Sequence, residues 1–180
     1  GTVSTLTAEL IEQGFLYEEP LLRDPTDISR GRPPMGLSVR ADARIVAGLK
    51  LSDREYSGII VDFSGRQLAS ISVRGRSGQL PLKEQIEAMD RLLTELLQAA
   101  GLERQMLAGL GLGLPGFVDH DSGRVFWSPV LAGRGVDVAA AATAALGVPV
   151  TIDNDANLVA LAELWFGAGR QKSDFAVVTI

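Results

Sequence analysis

The chain has 180 residues, of which 46% are apolar, and its 17 Lys and Arg against 22 Asp and Glu give a formal net charge of −5. This composition suffices for a buried core, and the acidic balance argues against wholesale electrostatic attraction to nucleic acid. The absence of Cys excludes disulfides and thiolate metal sites, and the single His, His120, which we expect at the surface in a predicted hairpin turn, leaves only carboxylates for metal binding. No apolar run approaches the ~18 residues of a membrane span, and the start lacks a signal-like pattern, so we expect a cytoplasmic protein with no membrane partner.

The first predicted element is a helix over residues 2–13, because apolar residues recur at i, i+3 and i+7 and Gly14 ends the pattern. This helix resembles the recognition helix of a winged helix-turn-helix, whose residues near the amino end read base edges. On that interpretation the DNA-reading residues are Thr2, Ser4 and Thr5. An ordinary amphipathic surface helix is the alternative, since the segment contains no Lys or Arg.

A wing follows in this interpretation, with one strand at residues 15–17, a returning strand at residues 35–39 and a polar segment between them. The polar segment contains Arg30, Gly31 and Arg32 followed by Pro, which resembles the minor-groove core of AT-hook peptides. There, Pro keeps the backbone extended, Gly permits close approach and the two Arg reach the negative potential of A·T tracts. A solvated linker is the alternative. We assign residues 1–39 to the carboxyl-terminal part of a DNA-binding domain, with a boundary near residues 40–44.

From residue 44 the pattern changes to strands, and three alternating segments predict an antiparallel meander. The later elements predicted from apolar periodicity are a helix at 82–100, a strand at 107–114, a helix at 138–146, a strand at 148–152 and a helix at 156–167. This order predicts an α/β fold, namely one actin-like, ribonuclease-H-like lobe with a mixed sheet over residues 44–169. Residues 170–180, with a strand from Asp174, would begin a second lobe. Both ends look cut, so we expect a longer protein.

A polar motif, Asp153-Asn154-Asp155-Ala156-Asn157, joins the last strand of this lobe to its last helix. It would lie at the carboxyl edge of the sheet, where open α/β folds bind ligands. Helix capping is the alternative, because Asp and Asn side chains accept hydrogen bonds from the free N–H groups of a first turn. One cap would explain one of the four polar residues, so both interpretations stay open on this argument.

The same motif, followed by Leu161-Ala162-Glu163, resembles the signature of the ROK family of sugar kinases and sugar-responsive repressors. Upstream, the run from Gly111 to Asp119, with Pro115-Gly116 at its centre, resembles that family's strand and Pro-Gly loop. The resemblance extends over nearly the whole chain. It implies a sugar bound by Asn154, Asp155 and the Gly116 N–H, with Asp155 matching the general base of the kinases. It also implies that the family's structural zinc would fall after Ile180, so no cofactor is expected within this chain.

One departure from the kinase pattern lies between the first two strands of the lobe. Sugar kinases of this fold place an Asp-x-Gly-x-Thr turn there, which holds the ATP phosphates. In this chain Lys50 stands at the Asp position, no Gly follows, and Asp53 and Glu55 would repel a phosphate. A second departure, Val130 where many members have Asn, leaves the identity of the sugar open.

We therefore expect a sugar-responsive transcriptional repressor of carbohydrate metabolism genes rather than an enzyme. Its expected partners are operator DNA, a small sugar effector, and further copies of itself in a homodimer or larger homo-oligomer. The enzyme alternative is a ROK sugar kinase that phosphorylates a hexose with Asp155 as general base. A third alternative is a sugar-binding regulator that acts through protein contacts, with the wing serving as a linker.

Overall fold

The computed structural model describes residues 2–20 and 35–178. Helix α1, Thr2–Glu12, comes first and is followed by strand β1, Leu16–Pro20. Strand β1 pairs antiparallel with β2, Met35–Val39. The predicted first helix and the pairing of the two wing strands are therefore confirmed as secondary structure.

The larger sheet has the strand order β10-β6-β3-β4-β5. Its members are β3, Ile45–Leu51; β4, Glu55–Asp62; β5, Gln67–Arg74; β6, Leu107–Leu114; and β10, Val150–Asn154. Strands β3, β4 and β5 form the predicted antiparallel meander, whereas β6 is parallel to both β3 and β10. The predicted mixed sheet is thus confirmed, and β6 and β10 end at the same edge of it.

Helices α2, Leu82–Ala100, and α3, Val138–Leu146, pack together over one face of this sheet. Each ends at a glycine in the left-handed region, Gly101 at φ 66° and Gly147 at φ 67°, which a side chain would make unfavourable. The seven largest side chains that are fully buried between these helices and the sheet are all apolar: Ile60, Met89, Leu93, Leu96, Leu112, Leu146 and Ile152. These contacts form the hydrophobic core of the lobe.

Helix α4, Asp155–Phe166, lies on the opposite face of the sheet, where Leu158 fits over Gly113. The predicted helix is confirmed, but its described residues include none that is buried. Trp165 and Phe166 are 65% and 82% exposed. The apolar spacing of this segment therefore predicted its helical conformation, but not whether its apolar face is buried against another element.

A small second sheet lies beside the lobe and contains β7, Phe117–Asp119; β8, Arg124–Trp127; and β9, Val136–Asp137. Strands β7 and β8 form an antiparallel hairpin whose turn holds His120, as predicted. Asp137 stands at the N-cap position of α3, but its carboxylate accepts two hydrogen bonds from Arg124, at 2.7 and 3.0 Å. Those bonds lower the pKa of the Asp137 carboxyl and fasten β9 to β8.

The strand predicted from Asp174 is wrong for residues 174–178, which the structure describes without any strand. An apolar run becomes a strand only when a neighbouring strand accepts and donates its backbone hydrogen bonds. Within residues 2–20 and 35–178, no helix combines the length and apolar character that a membrane span requires.

An aromatic junction, defined by Phe15, Arg44 and Phe63, connects the α1–β1–β2 unit to the lobe. The rings of Phe15 and Phe63 have centroids 5.4 Å apart, and the Arg44 guanidinium carbon lies 4.9 Å from the centroid of Phe15. Two backbone hydrogen bonds of 2.9 Å flank these contacts, from Arg40 N–H to the Phe15 carbonyl and from Phe63 N–H to the Ala41 carbonyl. The unit is therefore attached at the turn between β4 and β5.

Candidate functional site

The polar motif occupies the carboxyl edge of the larger sheet, at the point where β10 ends and α4 begins. Asn154 is the N-cap of α4, because its Oδ1 accepts from the Ala156 N–H at 2.8 Å and from the Asn157 N–H at 3.3 Å. Asp155 makes a longer contact with the Ala156 N–H, at 3.1 Å. Capping therefore accounts for Asn154 and leaves the role of the Asp155 carboxylate unexplained.

Asn154 also holds the Pro-Gly loop against this corner. Its Nδ2 donates to the Gly116 carbonyl at 2.8 Å, and the second N–H of the amide remains a possible donor to a ligand. Gly116 has φ +128°, and a Cβ added to it would lie 2.1 Å from the Trp127 carbonyl oxygen, so a side chain here would force the loop away. The structure thus brings together Gly116, Asn154 and Asp155. Sugar binding by these three residues stays a prediction.

Asp153 and His120 belong to the same site, although the sequence analysis assigned neither of them a role there. Asp153 Oδ1 accepts from the Asn154 N–H at 2.6 Å and from Asn157 Nδ2 at 3.0 Å. His120 Nδ1 lies 3.0 Å from the Ile152 carbonyl oxygen and 3.8 Å from Asp153 Oδ2. The available signal was the position of the single His, which directly follows the run from Gly111 to Asp119 that carries the resemblance.

Lys50 lies at the same corner, because β3 runs beside β6 toward the carboxyl edge. Its Nζ is 4.0 Å from Asp155 Oδ2, and the Asp155 side chain is 27% exposed. A half-exposed ion pair of this kind contributes little to stability, about 0–1 kcal/mol. The contact places Lys50, which stands at the position of the kinases' phosphate-loop Asp, beside the carboxylate that matches the kinase base.

The predicted DNA-reading residues lie elsewhere in the molecule. Thr2, Ser4 and Thr5 occupy the amino-terminal turns of α1 and are exposed. Arg30, Gly31 and Arg32 fall outside the described residues, so their role as a minor-groove hook stays a prediction. No interaction with DNA is tested by the structure.

No group of three or more His, Asp or Glu side chains converges on a common point among residues 2–20 and 35–178. The structural zinc that the family resemblance implies stays a prediction.

Comparison with known proteins identifies the lobe. Residues 46–180 match the sequence pattern of the ROK family. The chain belongs to the ROK family. This match covers the lobe from β3 onward and includes both the Pro-Gly loop and the polar motif.

Two ROK relatives differ in how much of the chain they match. The xylose repressor of Caldicellulosiruptor bescii is 29% identical over 184 residues, which cover 100% of this chain and 44% of the repressor. The glucokinase of Halalkalibacterium halodurans is 27% identical over 143 residues, which cover 72% of this chain and 42% of the kinase. The chain therefore spans less than half the length of these relatives.

A solved ROK family transcriptional regulator, a homologue of the MLC protein of Escherichia coli, has a similar fold. It superimposes with a TM-score of 0.69 at 23% identity and covers 91% of this chain and 40% of its own. Residues 46–180 make up less than 91% of the chain, so the superposition also includes residues that precede the matched family region. The similarity confirms the actin-like ROK fold predicted from the order of elements.

Proposed function

We propose that this chain is part of a sugar-responsive transcriptional repressor. The observation that carries the proposal is the α1–β1–β2 unit in front of the ROK lobe, because the repressor relative matches 100% of this chain and so includes the unit, whereas the glucokinase matches 72% of the chain. A short helix followed by a two-stranded antiparallel wing is the arrangement expected at the end of a winged helix-turn-helix. The α1 residues Thr2, Ser4 and Thr5 would read base edges.

The sugar would bind at the corner formed by the Pro-Gly loop and the polar motif. Asp155 would accept a hydrogen bond from one hydroxyl, Asn154 would donate its second amide hydrogen to another, and the Gly116 N–H would add a third contact. A hydrogen bond to a charged group contributes about 1.5–3 kcal/mol, and a neutral one about 1 kcal/mol. These contacts suit a sensor of moderate affinity.

Lys50 favours sensing over phosphoryl transfer. Where the kinases place the Asp of their phosphate-holding turn, this chain has Lys50, whose Nζ lies 4.0 Å from Asp155 Oδ2. The turn after Lys50 carries Asp53 and Glu55, whose charges oppose bound phosphates. The same carboxylate can still accept a hydrogen bond, which is all that a sensor requires.

In the proposed mechanism, sugar binding changes the arrangement of the lobe and, through a homodimer or larger homo-oligomer, the spacing of the DNA-reading helices. A ligand can do this only if it binds the two arrangements with different affinity. Arg30, Gly31 and Arg32, which lie in sequence between β1 and β2, would add minor-groove contacts.

The sugar site is tested by Asp155→Asn in the full-length protein, with D-xylose and D-glucose as the first probes. Loss of the charged acceptor should lower sugar affinity about tenfold to a hundredfold in calorimetric titration. Because Asn154 supplies the cap, the melting temperature without sugar should barely move. Operator DNA, selected from a random pool, should still bind but should no longer respond to sugar. Asp42→Asn, an exposed change between β2 and β3, is the control, and unchanged sugar affinity in Asp155→Asn would reject the site.

The kinase alternative is tested by a coupled assay over hexoses, pentoses and amino sugars with ATP. We expect no phosphorylation above background. Turnover of about 1 per second, which is within the ordinary range of enzymes, would overturn the repressor proposal.

The DNA contacts are tested by changing Arg30 and Arg32 together to Ala. Operator affinity should fall and its salt dependence should flatten, since each phosphate or groove contact by Arg releases counterions. Changing two exposed lobe arginines, Arg91 and Arg134, is the matched control. Ser4→Ala should instead alter base preference with a smaller effect on the salt slope. A salt slope that the Arg30 and Arg32 changes leave untouched would make that segment a linker.

A further inference from the structure

The hairpin of β7 and β8, together with the Gly116 that precedes it, contacts the polar motif at one point and the end of β10 at another. At its start, the Gly116 carbonyl accepts from Asn154 Nδ2 at 2.8 Å. At its turn, His120 Nδ1 lies 3.0 Å from the carbonyl oxygen of Ile152. Strand β10 pairs with β6 on one side, and the hairpin lies along its other side. The end of β10 is therefore held between a full strand and this hairpin.

The direction of the His120 hydrogen bond follows from its partner. A carbonyl oxygen can only accept, so Nδ1 must carry the proton and donate it. This assignment holds for either charge state of the imidazole, because the charged ring also donates from Nδ1. The contact thus acts as a fixed link between the hairpin turn and the β10 backbone, one residue before Asp153.

Asp153 extends this link into the first turn of α4. Its Oδ2 faces the same His120 nitrogen at 3.8 Å, while its Oδ1 accepts from the Asn154 N–H at 2.6 Å and from Asn157 Nδ2 at 3.0 Å. A shift of Asp153 would therefore move the backbone of Asn154 and the side chain of Asn157 together. Both flank the Asp155 carboxylate in sequence.

The exposure of the His120 side chain indicates that this residue contributes little to the stability of the fold. Its side chain is 60% exposed, whereas that of Asp153 is 13% exposed. Losing the imidazole would therefore remove little buried area, and surface changes of this kind usually alter stability by less than about 0.5 kcal/mol. What the change would remove is the donor that fixes the Ile152 carbonyl beside the site.

We propose that His120 is a positioning residue of the sugar site. By donating to the Ile152 carbonyl, it sets the place of Asp153 and, through Asp153, the geometry of Asn154 and Asp155. This inference rests on the sugar site proposed above. It assigns to the hairpin turn a role in effector affinity that is separate from contact with the sugar.

The test compares His120→Asn with His120→Ala in the full-length protein. Asn carries an Nδ2 donor close to the place of the imidazole Nδ1, so it can still reach the Ile152 carbonyl, whereas Ala cannot. Since one neutral hydrogen bond corresponds to roughly a fivefold change in an equilibrium constant, His120→Ala should weaken D-xylose or D-glucose binding by about that factor. His120→Asn should restore affinity to near that of the unchanged protein. Asp121→Asn, in the same turn, is the control and should leave affinity unchanged.

A second measurement reads the position of the motif without any sugar. The side-chain amide signals of Asn154 and Asn157 in NMR spectra should shift in His120→Ala and return in His120→Asn. If the unchanged protein binds none of the sugars, the proposed function fails, and these amide signals alone decide whether His120 positions the motif. Amide signals that are the same in all three proteins, or an equal loss of affinity in the Asn and Ala variants, would overturn the proposal.

Discussion

The two amphipathic helices α1 and α2 have similar apolar spacing and very different surroundings. In α2, seven side chains are buried, and Met89, Leu93 and Leu96 are each 0% exposed. In α1, none of the described residues is buried, and Leu6 and Leu10 remain 53% and 40% exposed. The spacing therefore specifies a helix in both cases, but among the described residues only α2 buries its apolar face.

This difference follows from what lies beside each helix. α2 follows a meander of three strands and packs directly on β4 and β5, so its apolar face meets a sheet that is adjacent in sequence. The described contacts of α1 are chiefly with β1, a short strand whose pairing partner is β2. A helix of 11 residues is marginal without tertiary contacts. We therefore expect the lobe to dominate the stability of this chain.

The largest expected effect comes from truncating equivalent leucines on the two helices. Leu93→Ala on α2 should lower the free energy of unfolding by about 2–5 kcal/mol, since it leaves a cavity in the core. Leu6→Ala on α1 should change it by less than about 0.5 kcal/mol. Urea unfolding with a constant m-value measures both. A cost of 2 kcal/mol or more for Leu6→Ala would contradict the comparison and mean that α1 is covered by residues outside those described.

A smaller effect is expected from the buried polar residue of α2. Gln85 accepts from the Tyr56 hydroxyl at 3.0 Å and donates to the Val130 carbonyl at 2.6 Å. Gln85→Leu should cost about 1–3 kcal/mol, because the Tyr56 hydroxyl stays buried without its acceptor. The Val130 carbonyl keeps a second donor, the Leu80 N–H at 3.1 Å.

Tyr56→Phe is the matched control for this change, because it removes the orphaned hydroxyl. Adding it to Gln85→Leu should recover part of the loss, and a double-mutant cycle of urea unfolding measures the coupling. Additive losses would show that the two side chains act independently.

Much of the fold follows from local patterns in the sequence. The bounds of α2 and β6, the meander, and the glycines that end α2 and α3 all depend on periodicity and on the left-handed preference of Gly, which are local properties. Which face of a strand is buried depends on non-local packing. In β4 the buried residues include Tyr56, Ile60 and Asp62, whereas Ile59 and Val61 are half-exposed.

The candidate site divides in the same way. The residues of the Pro-Gly loop and the polar motif could be named from the sequence, because each motif is contiguous. The contacts of Lys50 with Asp155 and of His120 with Ile152 join residues more than 30 positions apart, so they depend on strand order and register. The cap itself was predictable in kind, but its assignment to Asn154 rather than Asp155 required the bounds of α4.

A change in the aromatic junction tests whether the α1–β1–β2 unit, which buries few side chains, can open independently of the lobe. Arg44→Ala removes a cation–π contact at an exposed site, worth about 0.5–1 kcal/mol. Hydrogen exchange should accelerate for the amides of β1 and β2 and stay unchanged for those of α2. Arg44→Lys is the control, because it keeps the charge but lacks the guanidinium group that lies over Phe15. Equal acceleration in α2 would mean that the unit and the lobe unfold together.

The smallest expected effect is a pH dependence at the turn that carries Phe63. The Asp62 carboxylate accepts from the Ser64 hydroxyl at 2.6 Å, from the N–H groups of Ser64 and Arg66 at 3.0 Å each, and from Arg66 Nε at 3.1 Å. The Ser64 hydroxyl lowers the pKa of Asp62 most, burial opposes it, and the bonds from Arg66 and the Ser64 N–H lower the pKa further. A carboxyl whose pKa is lower in the folded state stabilises that state above its unfolded pKa, about 4, and loses this contribution as the pH falls through the folded pKa.

The unfolding free energy of the unchanged chain should therefore decline more steeply between about pH 5 and pH 2 than that of Asp62→Asn. The unfolding free energies of the two proteins should differ most near neutral pH and become similar in acid. Ser64→Ala should reduce the same pH dependence by a smaller amount. In the double variant with Asp62→Asn, Ser64→Ala should cause no further reduction, since the hydroxyl acts through the Asp62 carboxylate. Urea unfolding at a series of pH values measures all four proteins. Parallel curves for the unchanged chain and Asp62→Asn would mean that the turn at Phe63, and with it the junction to the wing, is held by packing rather than by this carboxylate.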